Sequence, residues 1–437
     1  MSLSRIYSTR KFLTNFNMKF HQIKNARLIS STMESREKLA TSKMVAKNEW
    51  NRALSEAEKI VGYQTSFLSL RYLLSDEITN LALHLRKLIG SAHPLVNTAK
   101  SLIYGQNNLQ TWGLIVLLVS KAAGHAADVP EMEQDKSAGV LISQRTLAEV
   151  VEMVRTANLI HQGVFNLQHL QNAGNNLSSD SDMIFGNKIA LLGGDYLLGS
   201  ACAQIGRLKN QELNELMCTA FRDMADSHFI GERDVQNIPL PADPKKKAEE
   251  QEATEKAIKE IPIDRVDNKK PFNLQSVMGS PEDEWTLRHT LAEGTLLGKS
   301  CQSALLLAKQ PEELQRQAYF FGKHLSLAWQ ASIDLEPFRL NKLPPDAKIS
   351  LISAPVLFHL EHDPTLYERE IKKGIESVDD IDYQKVHSEI LNSSLAIEKT
   401  RELQSKHTLL AMAELYKFPN CDARTALENI IMAMQDN

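Results

Sequence analysis

Residues 147–166 read LAEVVEMVRTANLIHQGVFN, and this stretch indicates the fold class most clearly. Residues that would share one face of a helix recur through this stretch at helical spacing; they are Leu147, Val150, Val151, Val154, Ala157 and His161. A second stripe with the same spacing comprises Leu297, Cys301, Ala304, Leu305 and Ala308. The sequence has no convincing run of alternating β-branched residues between hairpin turns. We therefore predict an all-α fold.

Composition excludes several classes of function. The 437 residues carry 50 basic and 54 acidic side chains, so no overall field attracts nucleic acid or an anionic membrane. The most apolar windows, 114–119 and 184–205, are too short or carry charges, and we predict no transmembrane segment. The cysteines are widely separated and form no CxxC pair; they are Cys202, Cys218, Cys301 and Cys421.

Two segments differ from the rest of the chain. Residues 1–33 contain Arg, Lys, Ser and Thr but no Asp or Glu, which is typical of a mitochondrial transit peptide and also fits a basic tail without a targeting role. Residues 237–283 are rich in proline and include the charge run 245–260; we interpret them as a solvated inserted loop rather than a docking segment. We predict a helical extension over residues 34–80 and the main domain over 81–437.

A second informative segment, FGNKIALLGGDYLLGSA, occupies residues 185–201. In letters, order and spacing, the two segments resemble helices of the trans-polyprenyl diphosphate synthase family. The resemblance continues through residues 285–308, 321–334 and 346–357 and covers roughly residues 80–420. It implies an isoprenoid synthase-type bundle of long antiparallel helices around a central cavity. Within the family, the chain is most similar to the non-catalytic second subunits of animal decaprenyl and solanesyl diphosphate synthases.

The resemblance shows which residues are missing. Members of the family hold magnesium with two aspartate-rich motifs, which neutralises an allylic diphosphate as it ionises. At the first motif, the aligned positions here are the uncharged Gln162, Gly163 and Asn166.

The second motif is aligned through Gly322 and Gln330. Its positions are Ile333, Asp334 and Pro337, so one carboxylate remains, with Glu336 out of register. Because proline lacks a backbone donor, we expect Pro337 to end or kink its helix.

The basic residues with which the family binds isopentenyl diphosphate are also replaced. The aligned grip segment contains Asn108, Leu109, Gln110, Trp112 and Gly113, and a downstream arginine pair falls at Gln171 and Asn172. Two Lys-Thr pairs become Arg288-His289 and Ala292-Glu293. In a pocket without charged substrate, charged side chains would be buried without partners, which costs free energy. The joint loss of these side chains therefore predicts a pocket that no longer holds charged substrate.

Other candidate sites have structural interpretations. Lys188, Asp195, Gln330 and Ala157 remain from the family pattern and suit helix capping or packing. His84 with His93, and His359 with His362, lack the further ligands that zinc requires, so we predict no metal on this chain. The GGD at 193–195 lacks the spacing of a dinucleotide fingerprint.

On this resemblance, we predict a non-catalytic subunit of a heteromeric trans-polyprenyl diphosphate synthase that makes the isoprenoid side chain of ubiquinone. Its partner would be the catalytic subunit, which would hold the magnesium, in a heterodimer or heterotetramer in the mitochondrial matrix, against the inner membrane. Two alternatives stay open. One is an active prenyltransferase with an unusual metal site built from Asp334, Glu336 and Asp195; the other is a helical scaffold for another mitochondrial protein.

Overall fold

The computed structural model describes residues 49–62, 112–167, 177–244, 277–345 and 347–435. Apart from Glu49, the described residues belong to one compact unit, Trp50–Asn437. The predicted leader, Leu109, Gln110, Gln171, Asn172 and the centre of the insertion lie outside the described residues.

The described residues are predominantly helical and include almost no strand, which confirms the predicted fold class. The helices are α1 (49–61), α2 (Trp112–Ala123), α3 (Ile142–His161), α4 (Leu177–Arg207), α5 (Gln211–Ser227), α6 (Pro281–His289), α7 (Thr295–Leu307), α8 (Glu312–Leu335), α9 (Ala354–His362), α10 (Thr365–Arg369), α11 (Tyr383–Ser393), α12 (Leu395–Leu415) and α13 (Asp422–Gln435). A π-helical turn, Thr290–Gly294, joins α6 to α7. A short antiparallel hairpin pairs β1 (Gln134–Asp135) with β2 (Val140–Leu141).

The two predicted apolar stripes lie in the interior. α3 packs between α2 and α4, and its residues from Leu147 to Ala157 that form the stripe are buried. α7 packs against α2, α5 and α8, and α8 also packs along α12. A second apolar cluster, centred on Trp285, Leu327 and Phe358, joins α6, α8 and α9. The residues aligned with the second motif therefore lie at the end of α8 that faces this cluster.

Local sequence sets several helix ends. Pro281 occupies the first turn of α6, where its missing donor has no intrahelical partner to lose. The Asn210 side chain accepts the Leu213 N–H at the start of α5, and Asp382 accepts the Lys385 N–H at the start of α11. α8 ends at Leu335 and continues as the 3-10 turn Glu336–Arg339. The prediction that Pro337 ends its helix is confirmed.

α7 and α8 make backbone contact at a pair of glycines. A Cβ on Gly322 would lie 2.8 Å from the Leu297 carbonyl oxygen, and one on Gly298 would lie 2.9 Å from the Tyr319 carbonyl oxygen. Both distances are shorter than van der Waals contact, so the helices pack at this separation only because neither position carries a side chain. No helix among the described residues is both long and apolar enough to cross a bilayer.

Candidate functional site

The positions of the first motif lie where α3 ends. Gln162 caps the helix, and its backbone N–H donates to the Asn158 carbonyl at 3.0 Å. Gly163 N–H donates to the Ile160 carbonyl at 3.0 Å in a final turn. Residues at i and i+4 share a face only while the helix continues. Because the helix stops at His161, Gln162 and Asn166 do not form such a pair.

Asn166 joins the end of α3 to the start of the insertion. Its Nδ2 donates to the Val235 carbonyl at 2.8 Å, and its backbone N–H donates to Gln236 Oε1 at 2.8 Å. The preceding residue, Phe165, exchanges two hydrogen bonds with the Asn187 amide, at 2.8 and 2.6 Å. The first-motif segment is therefore held by amides and carbonyls that have no charge to offer a cation.

The one carboxylate at the second motif is engaged by three donors. Asp334 Oδ2 accepts from Trp285 Nε1 at 2.7 Å and from the Ala354 backbone N–H at 2.9 Å. Asp334 Oδ1 accepts from Gln330 Nε2 at 2.8 Å. Ala354 is the first residue of α9, whose own N-cap residue, Ser353, makes no side-chain cap. Asp334 thus caps α9 from a neighbouring helix.

The surroundings of Asp334 are those of a structural side chain. The residue is 4% exposed, and burial raises its pKa to about 6, although the bonds from Ala354, Trp285 and Gln330 favour the charged form. Pro337 contributes a carbonyl that accepts from His387 Nε2 at 3.0 Å, which fixes the turn after α8.

Trp112, aligned with an arginine of the phosphate grip, is buried at the start of α2. The Arg155 guanidinium lies 4.3 Å from the centre of its ring, and Arg155 Nη2 lies 3.8 Å from Glu293 Oε2. Glu152 Oε1 accepts the Gly113 backbone N–H at 2.6 Å, and burial raises the pKa of Glu152. A cation is therefore present here, but an aromatic ring and a carboxylate already contact it.

Arg288 is a basic residue that aligns with the lysine of a Lys-Thr pair of the family. The structure places it in a buried ion pair. Arg288 Nε and Nη2 donate to Glu284 Oε1 at 3.0 and 2.9 Å. Arg288 Nη1 donates to the Ile230 carbonyl, and Nη2 also donates to the Leu240 carbonyl, both at 2.9 Å. Its donors bind the loop 230–240, so this cation serves packing rather than phosphate binding.

Glu284 anchors both ends of the insertion. Its Oε1 accepts the Ala242 backbone N–H at 3.2 Å, and its Oε2 accepts the Gly279 backbone N–H at 2.8 Å. His289, the neighbour of Arg288 in the former Lys-Thr position, is partly buried, and its ring centre lies 5.0 Å from that of Trp285. Burial lowers the pKa of His289 to about 3, so the side chain is neutral.

No family model matches this chain, but several known proteins are similar to it. The human protein called all trans-polyprenyl-diphosphate synthase PDSS2 is 36% identical over 388 residues, which cover 88% of this chain and 87% of that protein. The chain belongs to the trans-polyprenyl diphosphate synthase family. The predicted family membership is confirmed.

Other relatives extend the likeness. The mitochondrial hexaprenyl pyrophosphate synthase of Saccharomyces cerevisiae is 26% identical over an alignment that covers 87% of this chain and 93% of the yeast protein. This relative supports the predicted mitochondrial location. The crystal structure of a decaprenyl diphosphate synthase from Rhodobacter capsulatus matches with a TM-score of 0.51 at 17% identity, covering 89% of this chain and 98% of that one. A geranylgeranyl pyrophosphate synthase from Lactobacillus brevis gives a TM-score of 0.52 at 13% identity. These structures show that the fold is shared.

In this member of the trans-polyprenyl diphosphate synthase family, the described residues of the two motifs do not suit magnesium. Magnesium requires near-octahedral oxygen ligands and is usually held by carboxylates together with substrate phosphates. Gln162, Gly163 and Asn166 provide no carboxylate, and both oxygens of Asp334 already accept hydrogen bonds inside the protein. Among the described residues, the one group of three or more potential ligands lies elsewhere, at His359, Asp363 and Glu389.

The other residues that match the family pattern lie on α3 and α4, which pack against each other. His161 Nε2 lies 3.3 Å from Asp195 Oδ1 and 3.3 Å from the Leu191 carbonyl. A Cβ on Gly194 would lie 2.2 Å from that nitrogen, so the glycine leaves room for the ring. Lys188 is exposed, and Ala157 is fully buried in the core. The GGD segment thus contributes to the packing of α3 against α4.

The contacts of several residues in this region were not predicted from the sequence. Arg155 and Glu152 were unassigned, although their i, i+3 spacing on a helix is a signal of a side-chain pair. Glu284 and Arg288 are spaced i, i+4, which is likewise a pairing signal. Trp285 gave no such signal, because its partner Asp334 is 49 residues away in sequence.

Proposed function

We propose that this chain is a non-catalytic subunit of a heteromeric trans-polyprenyl diphosphate synthase that makes the isoprenoid side chain of ubiquinone. The observation that carries the proposal is the engagement of Asp334. The last carboxylate of the two motifs is buried and accepts from Trp285, Ala354 and Gln330. A side chain committed to capping α9 and to an indole N–H is not available to a metal-bound diphosphate.

Prenyl transfer requires that the negative charge of the leaving diphosphate be neutralised. In this chain, Arg288 is bound by Glu284, and Arg155 lies between Trp112 and Glu293. The cations of the region are thus compensated within the protein. Magnesium and the basic phosphate ligands would be supplied by the catalytic subunit, which is the partner we propose.

An unusual metal site built from Asp334, Glu336 and Asp195 is disfavoured by position. Asp334 is buried and Glu336 is exposed beyond the end of α8, while Asp195 contacts His161 on α4. These three carboxylates do not converge in the structure as a group of potential ligands. A scaffold unrelated to prenyl chemistry has no specific observation in its favour.

The surface of α4 supports the pairing with a catalytic subunit. Four large apolar side chains face solvent along this helix and are 57%, 52%, 54% and 45% exposed in the chain by itself; they are Ile184, Leu191, Leu192 and Tyr196. They recur at i, i+7, i+8 and i+12, so they form one stripe. Covering such a stripe contributes about 25 cal/mol per Å² of apolar area. A long helix of the partner, as part of a heterodimer or a heterotetramer, is the occupant we propose.

The proposed location is the mitochondrial matrix, against the inner membrane. The mitochondrial relative and the acid-free composition of residues 1–33 support it. A long polyprenyl product is apolar and has to reach lipid, which favours a complex at the membrane surface.

The proposal is tested by producing the chain alone and together with a catalytic subunit, and by measuring condensation of isopentenyl diphosphate. We expect no product from the chain alone and product from the complex. Sustained condensation by the chain alone would contradict the proposal.

Substitutions on α4 test the pairing. Leu191→Asp and Leu192→Asp should release the partner in size-exclusion chromatography and reduce the activity of the mixture. Leu409→Asp is the matched control, because Leu409 is also exposed but lies on α12. If all three variants remain in the complex, α4 is not the interface.

A further inference from the structure

A histidine and two carboxylates meet where α9 ends against α11. A ring nitrogen of His359 and carboxylate oxygens of Asp363 and Glu389 all lie within 4.8 Å of one another. His359 is in the last turn of α9, Asp363 is its C-cap residue, and Glu389 lies on α11. The i, i+4 spacing places His359 and Asp363 on one side of the helix end. His362, which the sequence paired with His359, is exposed and does not belong to the group.

The hydrogen bonds of His359 determine which of its nitrogens is available. Ser393 Oγ donates its proton to the Ile390 carbonyl at 3.1 Å, so it acts as the acceptor in its 3.2 Å contact with His359 Nδ1. The proton of the neutral ring is therefore on Nδ1, and Nε2 carries a lone pair. His359 is 4% exposed, and its buried Nε2 has no hydrogen-bond partner.

The two carboxylates already share one cation. Arg369 Nη2 lies 3.2 Å from Asp363 Oδ2 and 3.1 Å from Glu389 Oε2. The Arg369 side chain is about half exposed, so these ion pairs contribute little and can be exchanged. Asp363 Oδ1 is held by the Thr365 N–H at 3.0 Å and by the Thr365 hydroxyl, which orients Oδ2 away from that turn.

We propose that His359 Nε2, Asp363 and Glu389 bind a zinc ion, with the Arg369 guanidinium moving out to solvent. Zinc accepts one imidazole nitrogen and two carboxylate oxygens at about 2.0–2.2 Å and takes water as a fourth ligand. The nitrogen donor favours zinc over magnesium and calcium, which prefer oxygen ligands throughout. Ser393 fixes the ring from the second coordination shell, as metal-bound histidines require.

Such an ion would link the end of α9 to α11. Ligand atoms of a tetrahedral zinc site lie roughly 3.3 Å apart, so the carboxylates have to move toward His359 when the ion binds. The Asp363 and Glu389 side chains are 35% and 24% exposed, so they have some freedom to do so. The site is separate from both aspartate motifs and from the α4 stripe, and the proposal does not depend on the function proposed above.

The test is calorimetric titration of zinc into the chelator-treated full-length chain, followed by cobalt substitution. We expect one ion per chain and an intense visible cobalt spectrum. His359→Gln and Glu389→Gln should each weaken binding by more than about 100-fold, beyond the range of about 10–100-fold that Ser393→Ala should give. His362→Gln is the matched control and should bind as the unmodified chain does.

Arg369→Ala tests whether the Arg369 guanidinium competes with zinc for the two carboxylates. It removes the cation that occupies the carboxylates, so zinc should bind several-fold more tightly. The proposal is overturned if the unmodified chain binds no zinc, or if Glu389→Gln, which replaces a partly exposed side chain, binds as tightly as the control. Weaker binding by Arg369→Ala would also overturn it.

Discussion

Asp334 accepts a hydrogen bond from the indole of Trp285 at 2.7 Å, which joins the end of α8 to α6. The same carboxylate oxygen receives the first backbone N–H of α9. The position that holds magnesium in the family thus holds three helices together here. The Asp334 carboxylate therefore has a structural role in this chain that requires no metal ion.

Removal of this carboxylate should destabilise the fold. Asp334→Ala leaves the Trp285 and Ala354 donors buried without partners, and each such donor costs about 1–3 kcal/mol. We expect a loss of about 3 kcal/mol in the free energy of unfolding, measured by urea denaturation. Glu376→Ala, which removes an exposed carboxylate away from this cluster, is the control and should change stability by less than about 0.5 kcal/mol. Equal stability of the two variants would contradict the account.

Asp334→Asn should be tolerated. Its Oδ1 can accept from Trp285 and Ala354, while its Nδ2 donates to the Gln330 amide after that amide turns over. We expect the complex with a catalytic subunit to condense isopentenyl diphosphate at the unmodified rate. A changed magnesium requirement in this variant would show that Asp334 is a metal ligand.

Titration of Asp334 should contribute to the pH dependence of the free energy of unfolding. Its folded pKa of about 6 lies above the ordinary value of 3.8, so the native state binds this proton more tightly than the unfolded chain. Stability falls with rising pH wherever the native state binds more protons. Its contribution should therefore decrease between pH 3.8 and about 6, by on the order of 3 kcal/mol. The comparison is urea unfolding across this range with Asp334→Asn, in which that decrease should be absent.

The buried pair of Arg288 and Glu284 should be essential for the ends of the insertion. Breaking a buried pair by removing one partner costs about 3–5 kcal/mol, so Glu284→Gln should strongly destabilise the chain. Hydrogen exchange should also accelerate at the Ala242 and Gly279 amides, which bond to Glu284. The control is Glu313→Gln in the exposed pair with Arg316, whose effect should be near zero. Unchanged exchange at both amides would contradict this assignment.

Two glycine substitutions should have opposite signs. Gly322→Ala places a Cβ against the α7 backbone, and overpacking of this kind costs about 1–3 kcal/mol. Gly199→Ala lies on the open side of α4 with nothing within 4 Å, and it should stabilise the isolated chain by about 0.5–1 kcal/mol through helix propensity. Thermal unfolding of both variants measures the difference. Destabilisation by Gly199→Ala in the isolated chain would show that its surface is not open.

The sequence predicted what depends on local pattern. Helical periodicity gave the all-α class, and the missing donor of Pro337 gave the end of α8. The family membership followed from several segments in the right order. The fate of the remaining charges did not follow, because it depends on distant partners. Arg288 bonds to carbonyls 58 and 48 residues away, and Asp334 bonds to Trp285 across 49 residues. Likewise, His359 meets Glu389 only after α9 and α11 have packed together.

In the function proposed above, this chain contributes structure and not chemistry to the synthase. The most direct test of this proposal is condensation of isopentenyl diphosphate by a complex in which the catalytic subunit has lost its first aspartate motif and this chain is unmodified. We predict that product formation falls to background while the complex stays assembled. Residual condensation that disappears when Asp334→Asn is added would contradict the account, because it would place a working metal site on this chain.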